Sequence, residues 1–172
     1  MLVKVFIRIV NDNYMDKKLA KYLEDNEVNY VLHKHAAVST VAESSGNEEI
    51  GKIPGLHCKT LFLKDDKGGF YLIGLSAHKR LDIKKLERHL KVKKLKFGLP
   101  DELDRFGLVP GSVSIFGVIY SSDVVLILDK EVWDAEIVGF HPNVNTETLE
   151  IGHGGLEKYY NSLANRKEVV EL

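Results

Sequence analysis

The sequence contains very little cysteine, almost no net charge and no long apolar run. Cys58 is the single cysteine among 172 residues, so the chain can form neither an internal disulfide nor a four-cysteine metal site. A formal net charge of −1 excludes a protein that is basic over its whole surface. Any nucleic-acid partner must therefore be held by a local basic patch. The low cysteine content favours a reducing, cytoplasmic compartment.

The apolar N-terminus is interrupted by charged residues. Residues 1–10 contain Lys4 and Arg8, and they lack both the length of a membrane span and a small-residue cleavage site. We therefore expect neither a span nor a signal peptide, and we interpret residues 1–15 as an N-terminal extension or an edge strand, with Met15 as an alternative start. No linker or repeat divides residues 16–172, which are predicted to form a single domain.

Capping residues and apolar periodicity predict strands interspersed with short helices. Helices are expected after Asp16, Thr40 and Asp82, at Pro100, and finally at residues 155–165. Strands are predicted at residues 28–32, 59–63, 70–75, 94–97, 113–119, 124–128 and 135–140, and the second and third of these are expected to form a hairpin. The order lacks the regular alternation of a nucleotide-binding sheet, so the predicted class is α+β with a mixed or antiparallel sheet.

Lys59 is the residue whose position in the sequence is hardest to explain. Side chains alternate between the faces of a strand, so Lys59 shares a face with Leu61 and Leu63. One interpretation is that Lys59 lies at the end of the strand and extends its ammonium group into water. The other is that it faces a cavity, where the ammonium group would suit a phosphate, a ribose hydroxyl or a carbonyl oxygen that gains negative charge.

Two loops could complete a site. In residues 110–114, Gly111 and Ser112 could bring backbone N–H groups close to a ligand, although a Pro-Gly pair also marks an ordinary tight turn. His141 precedes Pro142 on a constrained loop, where a histidine can also be purely structural.

Other chemistries are weakly supported. His33 and His35 would share a face of a strand, and His57, Cys58 and His141 could join them around a metal ion. However, the sequence contains no HExxH motif and no G-x-S-x-G elbow, and Cys58 directly follows His57, where the two side chains point apart. We expect neither a metal nor any other cofactor.

Residues 79–96 are strongly basic. They contain nine Lys or Arg residues against Asp82 and Glu87, a local charge of +7 that leaves −8 on the remainder of the chain. Such a segment could bind a phosphate backbone, or it could be a solvated surface. The residues expected to contact a nucleic acid are Lys79, Arg80, Lys84, Lys85 and Arg88.

These features, in this order, resemble the YbaK/ProX aminoacyl-tRNA deacylase family, and in particular the free-standing relatives of the editing domain inserted in bacterial prolyl-tRNA synthetases. The resemblance extends from Asp16 to about Leu163. The matching stretches are residues 35–40 with Glu43, residues 55–63, residues 80–82, residues 107–114 with Phe116 and Gly117, and residues 140–143 with Asn145 and Thr146. The chain departs from the family at Ile115, where the loop often continues with proline.

The resemblance implies a mixed, partly barrel-like sheet surrounded by helices. It also implies catalytic roles for Lys59, Gly111, Ser112 and His141. Substrate-binding positions implied by the same motifs are Thr40, Glu43, His57, Ser114 and Asn145.

The activity implied by the resemblance is trans-editing, the hydrolysis of a mischarged aminoacyl-tRNA, with alanine on tRNA(Pro) as the expected substrate. Prolyl-tRNA synthetase is a possible partner, and we expect neither DNA nor a membrane as a partner. Two alternatives stay open: a noncatalytic module of the same fold that binds tRNA or a synthetase, and a deacylase for cysteinyl- or seryl-tRNA.

Overall fold

A computed structural model describes residues 14–172. The prediction for the N-terminal extension therefore lies almost entirely outside the described residues. The helices are α1 (Lys17–Asp25), α2 (Val41–Gly46), α3 (Glu48–Gly51), α4 (Ile83–Leu90), α5 (Pro100–Arg105), α6 (Lys130–Asp134) and α7 (His153–Ser162), and a 3₁₀ helix spans Ile115–Tyr120. The strands are β1 (Val31–Lys34), β2 (Leu56–Lys64), β3 (Phe70–Ser76), β4 (Lys96–Phe97), β5 (Val124–Asp129), β6 (Ile137–Phe140), β7 (Glu147–Gly152) and β8 (Lys167–Val170).

The strands form one mixed sheet in the order β1-β7-β6-β2-β3-β5-β8, with β4 attached to β2. Neighbours are parallel at β2–β6, β3–β5 and β5–β8, and antiparallel at the other pairings. The predicted α+β class, with a mixed sheet and surrounding helices, is confirmed. The sheet does not close into a barrel, because its path runs from β1 at one end to β8 at the other.

Capping by neighbouring side chains begins several of the helices. The carboxylate of Asp16 accepts from the Leu19 N–H (2.9 Å), and that of Asp82 accepts from the Lys85 N–H (2.9 Å). Each bond satisfies one of the N–H groups that a helix leaves unpaired in its first turn. The predicted starts of α1, α2, α4 and α5 are confirmed.

Apolar clusters cover both faces of the sheet, and β2 contributes to each. Phe62 belongs to the larger cluster, which includes Phe116 and Phe140. Leu63, the next residue, belongs to the smaller cluster under α4, and Leu61 packs against that same cluster. The alternation predicted for β2 is therefore observed, and Lys59 lies in register with Leu61 and Leu63.

One edge of β2 is only partly covered. Its antiparallel pairing with β3 runs from Cys58 to Lys64 without a break. On the opposite edge, β6 pairs only at Leu56 and His57, and β4 pairs only at Leu63 and Lys64. On that edge, no strand of the described part of the chain pairs with residues 58–62, which leaves an opening between β6 and β4.

The predicted strand at residues 113–119 is wrong, because most of it forms the 3₁₀ helix. The Ser114 hydroxyl accepts from the Phe116 N–H (3.3 Å), and the Tyr159 hydroxyl donates to the Ile115 carbonyl (2.8 Å). Ile115, Phe116 and Val118 are all buried. A short apolar run that is buried on every side has no periodicity to separate a strand from a helical turn.

Two further boundaries differ from the prediction. The strand expected at residues 28–32 begins only at Val31, because the Val28 N–H still bonds to the Leu23 carbonyl (2.9 Å) at the end of α1. The helix expected to close the fold ends at Ser162, and β8 follows it as an edge strand parallel to β5. Separately, none of the helices within residues 14–172 has the length and apolar character that crossing a membrane requires.

Candidate functional site

A cleft of about 580 Å³ opens at the uncovered edge of β2. Its walls are residues 38–41 with parts of α2 and the end of α3, the loop that contains Pro110 and Gly111, and the end of β6. The cleft brings together the predicted site residues Thr40, His57, Lys59, Gly111 and His141, which lie up to 101 positions apart in the chain. The other predicted residues, Glu43, Ser112, Ser114 and Asn145, do not line the cleft.

Lys59 projects from β2 at this opening. It is half-buried, and no hydrogen bond or ion pair engages its side chain among residues 14–172. Burial lowers the pKa of Lys59 below its ordinary value, because a partly desolvated ammonium group is less stable than a hydrated one. The structure therefore presents an unpaired cation to the cleft, where an anionic or carbonyl oxygen could approach it.

His141 has one ring nitrogen committed to the protein. Nδ1 lies 2.7 Å from the Glu147 carbonyl, which can only accept, so Nδ1 carries the proton and Nε2 is an acceptor in the neutral ring. Burial lowers the pKa of His141, assisted by the nearby His35, and these effects exceed the opposing effect of the Glu147 carbonyl. The neutral ring can thus accept a hydrogen bond from a water molecule or a hydroxyl at Nε2.

His35 supports His141 from behind. The two ring centroids are 5.6 Å apart, and His35 is 8% exposed. Its Nδ1 lies 2.9 Å from the Ala36 carbonyl and its Nε2 2.9 Å from the Thr148 hydroxyl, so both nitrogens are satisfied. The sequence identified His35 only as a weak metal-ligand candidate, since nothing local predicts its contact with a loop more than 100 residues away.

The glycine-containing loop offers fewer free donors than predicted. Gly111 has a φ of +83°, and a Cβ built on it would lie 3.6 Å from Ser39. The Ser112 N–H and hydroxyl both bond to the Val109 carbonyl, at 3.1 and 3.2 Å. Ser112 therefore closes the turn, whereas the Gly111 N–H forms no hydrogen bond within residues 14–172. Ser114 is 1% exposed, caps the 3₁₀ helix and does not line the cleft.

The predicted residues around α2 form a local scaffold. The Thr40 hydroxyl accepts from the Glu43 N–H (3.1 Å), and a Glu43 carboxylate oxygen accepts from the Ser39 N–H (2.6 Å). The Asn145 carbonyl accepts from the Val38 N–H (3.0 Å), and the Asn145 amide lies 3.4 Å from the Ser39 hydroxyl. Thr40 reaches the cleft, and Glu43 and Asn145 instead hold the cleft wall in place.

His57 and Cys58 do not form a nucleophile pair. The Nε2 of His57 lies 2.8 Å from the Ile53 carbonyl and therefore donates to it. Burial raises the pKa of the Cys58 thiol well above its ordinary range, so the thiolate is disfavoured. Of the other metal-ligand candidates, His33 bonds to Glu150 (2.7 Å), and within residues 14–172 no three His, Cys, Asp or Glu side chains are grouped as a metal site would require.

The basic segment begins and ends at the cleft. Ala77 and His78 line the cleft just before it, and Phe97 and Gly98 line it just after. Lys79 bonds to the buried Asp129 (2.7 Å), and Lys84 bonds to Glu87 (2.7 Å). Arg80, Lys85 and Arg88 are exposed, and no ion pair involves them within the described residues.

The chain matches the family of the aminoacyl-tRNA editing domain. The family model matches residues 35–159, which contain the cleft and every predicted site residue, so the chain belongs to that family. The chain is accordingly a hydrolase of the aminoacyl-tRNA deacylase class. Among curated proteins, it is similar to the prolyl-tRNA editing protein ProX of Acetoanaerobium sticklandii, with 32% identity over 164 residues that cover 92% of this chain and 99% of the relative.

Solved structures share the fold. The crystal structure of a "putative trans-editing enzyme for prolyl tRNA synthetase" is 19% identical with a TM-score of 0.70, covering 92% of this chain and 98% of that one. The crystal structure of a hypothetical protein is 20% identical with a TM-score of 0.71, covering 88% of this chain and 98% of that one. At this level of identity, the likeness shows only that the fold is shared.

Proposed function

We propose that the protein is a trans-editing enzyme that removes alanine from mischarged tRNA(Pro), and that the reaction takes place in the cleft beside β2. The observation that carries this proposal is the unpaired Lys59 ammonium group, which shares the cleft with the neutral ring of His141. Similarity to a prolyl-tRNA editing protein over 92% of the chain supports the choice of proline tRNA.

The reaction is hydrolysis of the ester that joins the amino acid to the terminal ribose. Water adds to the acyl carbonyl, the bond from that carbon to the ribose oxygen breaks, and the products are a free amino acid and a terminal hydroxyl. Such an ester is already reactive, so it mainly requires a placed water molecule and a stabilised oxyanion. In our proposal, Lys59 and the Gly111 N–H face the ester oxygens, and His141 accepts a hydrogen bond from the water through Nε2.

Selection against proline would come from the size of the cleft. Binding alone distinguishes a smaller side chain from a larger one by only about 1–3 kcal/mol per methylene, but a closed wall can exclude the larger one. Gly111 and Ser39 both line the cleft, where a Cβ built on Gly111 would be in ordinary van der Waals contact with Ser39, and Ser112 fixes the Gly111 turn through Val109. We propose that this wall admits alanine and rejects proline; cysteine and serine esters are the alternative substrates.

Deacylation assays on a panel of charged tRNAs test the proposal. Purified protein is incubated with Ala-tRNA(Pro), Pro-tRNA(Pro), Cys-tRNA and Ser-tRNA, and loss of the ester is followed above the uncatalysed rate. We expect turnover on Ala-tRNA(Pro) and none on Pro-tRNA(Pro). Activity confined to cysteinyl- or seryl-tRNA would change the substrate, and no turnover on any of them would refute the proposed function.

Lys59→Ala tests the site itself. Removing one group that stabilises a developing oxyanion typically lowers kcat about 10²- to 10³-fold, and we expect a loss of that order. Lys67→Ala is the matched control, because Lys67 is an exposed lysine in the β2–β3 hairpin turn that does not line the cleft. If Lys59→Ala hydrolyses at the normal rate with an unchanged fold, Lys59 is not part of the site.

We also propose the setting in which the enzyme works. Its partners are mischarged tRNA, most specifically tRNA(Pro), and prolyl-tRNA synthetase, and its compartment is the cytoplasm, where charged tRNA is used. Residues 16–172 are proposed to act as one domain, which a deacylation assay on that fragment would check.

A further inference from the structure

Exposed apolar side chains lie on or next to segments that line the cleft. Within residues 14–172 the exposed large hydrophobic residues are Val31 (53%), Phe97 (57%), Leu99 (58%) and Val109 (59%). Phe97 lines the cleft, Leu99 follows the lining residue Gly98, and Val109 precedes the lining residue Pro110. We call Phe97, Leu99 and Val109 the mouth patch; Val31 lies apart from it on β1.

The backbone on either side of Phe97 is firmly held. Phe97 pairs with Leu63 across the β2–β4 ladder, and the Gly98 N–H bonds to the Phe62 carbonyl (3.0 Å). Gly98 lies against the Phe62 ring so closely that an added Cβ would be 2.2 Å from it. The Phe97 ring makes no aromatic contact within residues 14–172. The protein thus holds the backbone of an exposed aromatic residue firmly beside its cleft.

The charge next to Phe97 is positive. Lys94 and Lys96 are exposed and form no ion pair among the described residues, and the nearby Glu102 is already bonded to Lys64. An exposed aromatic ring on a segment that also carries exposed lysines suits single-stranded nucleic acid, since bases stack on the ring while phosphates meet the cations. A protein partner would more commonly require a larger apolar surface without such a concentration of one charge.

We infer that Phe97 is a stacking platform for the base of the 3′-terminal adenosine of the acyl-tRNA, with Lys94 and Lys96 facing the adjoining phosphates. The inference rests on the proposed function, because the ester at Lys59 belongs to the ribose of that same nucleotide. The acyl group enters the cleft, and the base stays at its mouth. Phe97 therefore aligns the substrate's unpaired end without taking part in the chemical step.

A fluorescence experiment detects the stack directly. Uncharged tRNA(Pro) that carries 2-aminopurine in place of its terminal adenine is titrated with wild type, Phe97→Tyr, Phe97→Leu and the control Val31→Ala. Stacking on an aromatic ring is expected to quench the probe with wild type, Phe97→Tyr and Val31→Ala. Phe97→Leu should remove the quench and raise Kd about tenfold, which is a typical effect of losing one base–aromatic stack. An absence of quenching with wild type overturns the inference.

A kinetic experiment separates the base from the rest of the substrate. With Ala-tRNA(Pro), Phe97→Leu should raise KM about tenfold and leave kcat unchanged, because the stack positions the base and does not touch the reacting atoms. With a substrate whose terminal nucleotide lacks its base, wild type and Phe97→Leu should have equal KM. If Phe97→Leu raises KM by the same factor on both substrates, the inference is overturned.

The outcomes distinguish this inference from the proposed function. Quenching without hydrolysis of any charged tRNA supports the stack and refutes the function. If Phe97→Leu hydrolyses the substrate like wild type and no quenching is seen, the proposed function stands and the stacking inference is overturned. If Phe97→Leu weakens binding to prolyl-tRNA synthetase and leaves tRNA binding intact, the mouth patch is a protein-docking surface and the inference is wrong.

Discussion

At the scale of single residues, the candidate site depends on the protonation of two side chains in the cleft. Burial lowers the pKa of His141 below its ordinary value, so its ring is neutral at pH 7. Burial also lowers the pKa of Lys59, from an ordinary value that lies far above that pH. A neutral acceptor beside a cation is the arrangement needed to hold a water molecule and a carbonyl oxygen together.

These pKa directions predict a bell-shaped pH profile of kcat/KM. As the pH falls through the lowered pKa of His141, Nε2 gains a proton and can no longer accept, so activity should decline only below about pH 6.5. As the pH rises through the lowered pKa of Lys59, the ammonium group is lost, so the alkaline decline should begin below about pH 10.4. The profile is measured after the uncatalysed rate has been subtracted at each pH.

Two variants check the assignment of each limb. Lys59→Arg keeps a charge that does not titrate in this range, so any activity it retains should lack the alkaline decline. His141→Asn should lose the acid limb in the same way. An acid limb that survives in His141→Asn would assign that limb to another group.

At the scale of elements, Gly55 determines how β2 enters the sheet beside β6. Its φ is +92°, and an added Cβ would lie 2.5 Å from the backbone carbonyl oxygen of Ile137. Only glycine accommodates both the conformation and the close approach. Because Lys59 follows four residues later on β2, this contact helps to set its position.

Gly55→Ala should therefore destabilise the protein. A left-handed conformation costs an alanine about 1–2 kcal/mol, and the backbone clash adds to that cost, so we expect a free energy of unfolding lower by roughly 2 kcal/mol or more. Urea unfolding measures the change. Gly154→Ala is the control, because a Cβ built on Gly154 in the first turn of α7 would meet nothing within 4 Å, so alanine there should not lower the free energy of unfolding. If Gly55→Ala unfolds like wild type, the close approach to Ile137 is not rigid.

At the scale of the whole molecule, the charge is divided between a basic segment and an acidic remainder. Residues 79–96 carry +7 in a chain whose net charge is −1, and both ends of the segment reach the cleft. Lys79 and Lys84 are occupied by carboxylates, so the free cations among the predicted residues are Arg80, Lys85 and Arg88. These three are better placed to meet phosphates than the two paired lysines.

Replacing Arg80, Lys85 and Arg88 together by glutamate should weaken tRNA binding. The dependence of log Kd on log salt should become shallower by up to about 0.7–0.9 per lost phosphate contact. Hydrolysis of a minimal substrate, alanyl-adenosine, should be unaffected. The control reverses the charge of Lys17, Lys67 and Lys130, exposed lysines outside the segment. Equal effects of the two triple variants would make the basic segment an ordinary solvated surface.

Features that depend on neighbouring residues could be predicted from the sequence. The hairpin turn between β2 and β3 is one, because Asp65 accepts from the Lys67 and Gly69 N–H groups at 2.8 Å and Gly68 adopts a φ of +83°. The capped helix starts are another, since each cap and its N–H partner lie three residues apart. Such bonds form wherever the local residues occur together, so the pattern predicts them without knowledge of the fold.

The tertiary structure alone decided which residues meet in the cleft. The mixed pairing that leaves one edge of β2 open joins strands far apart in the chain, and His35 lies behind His141 only because β1 pairs with β7. Burial of the 3₁₀ helix turned Ser114 into an internal cap, and the turn at Val109 occupied the N–H of Ser112. These outcomes depend on packing between distant segments, a collective property that no local pattern of residues records.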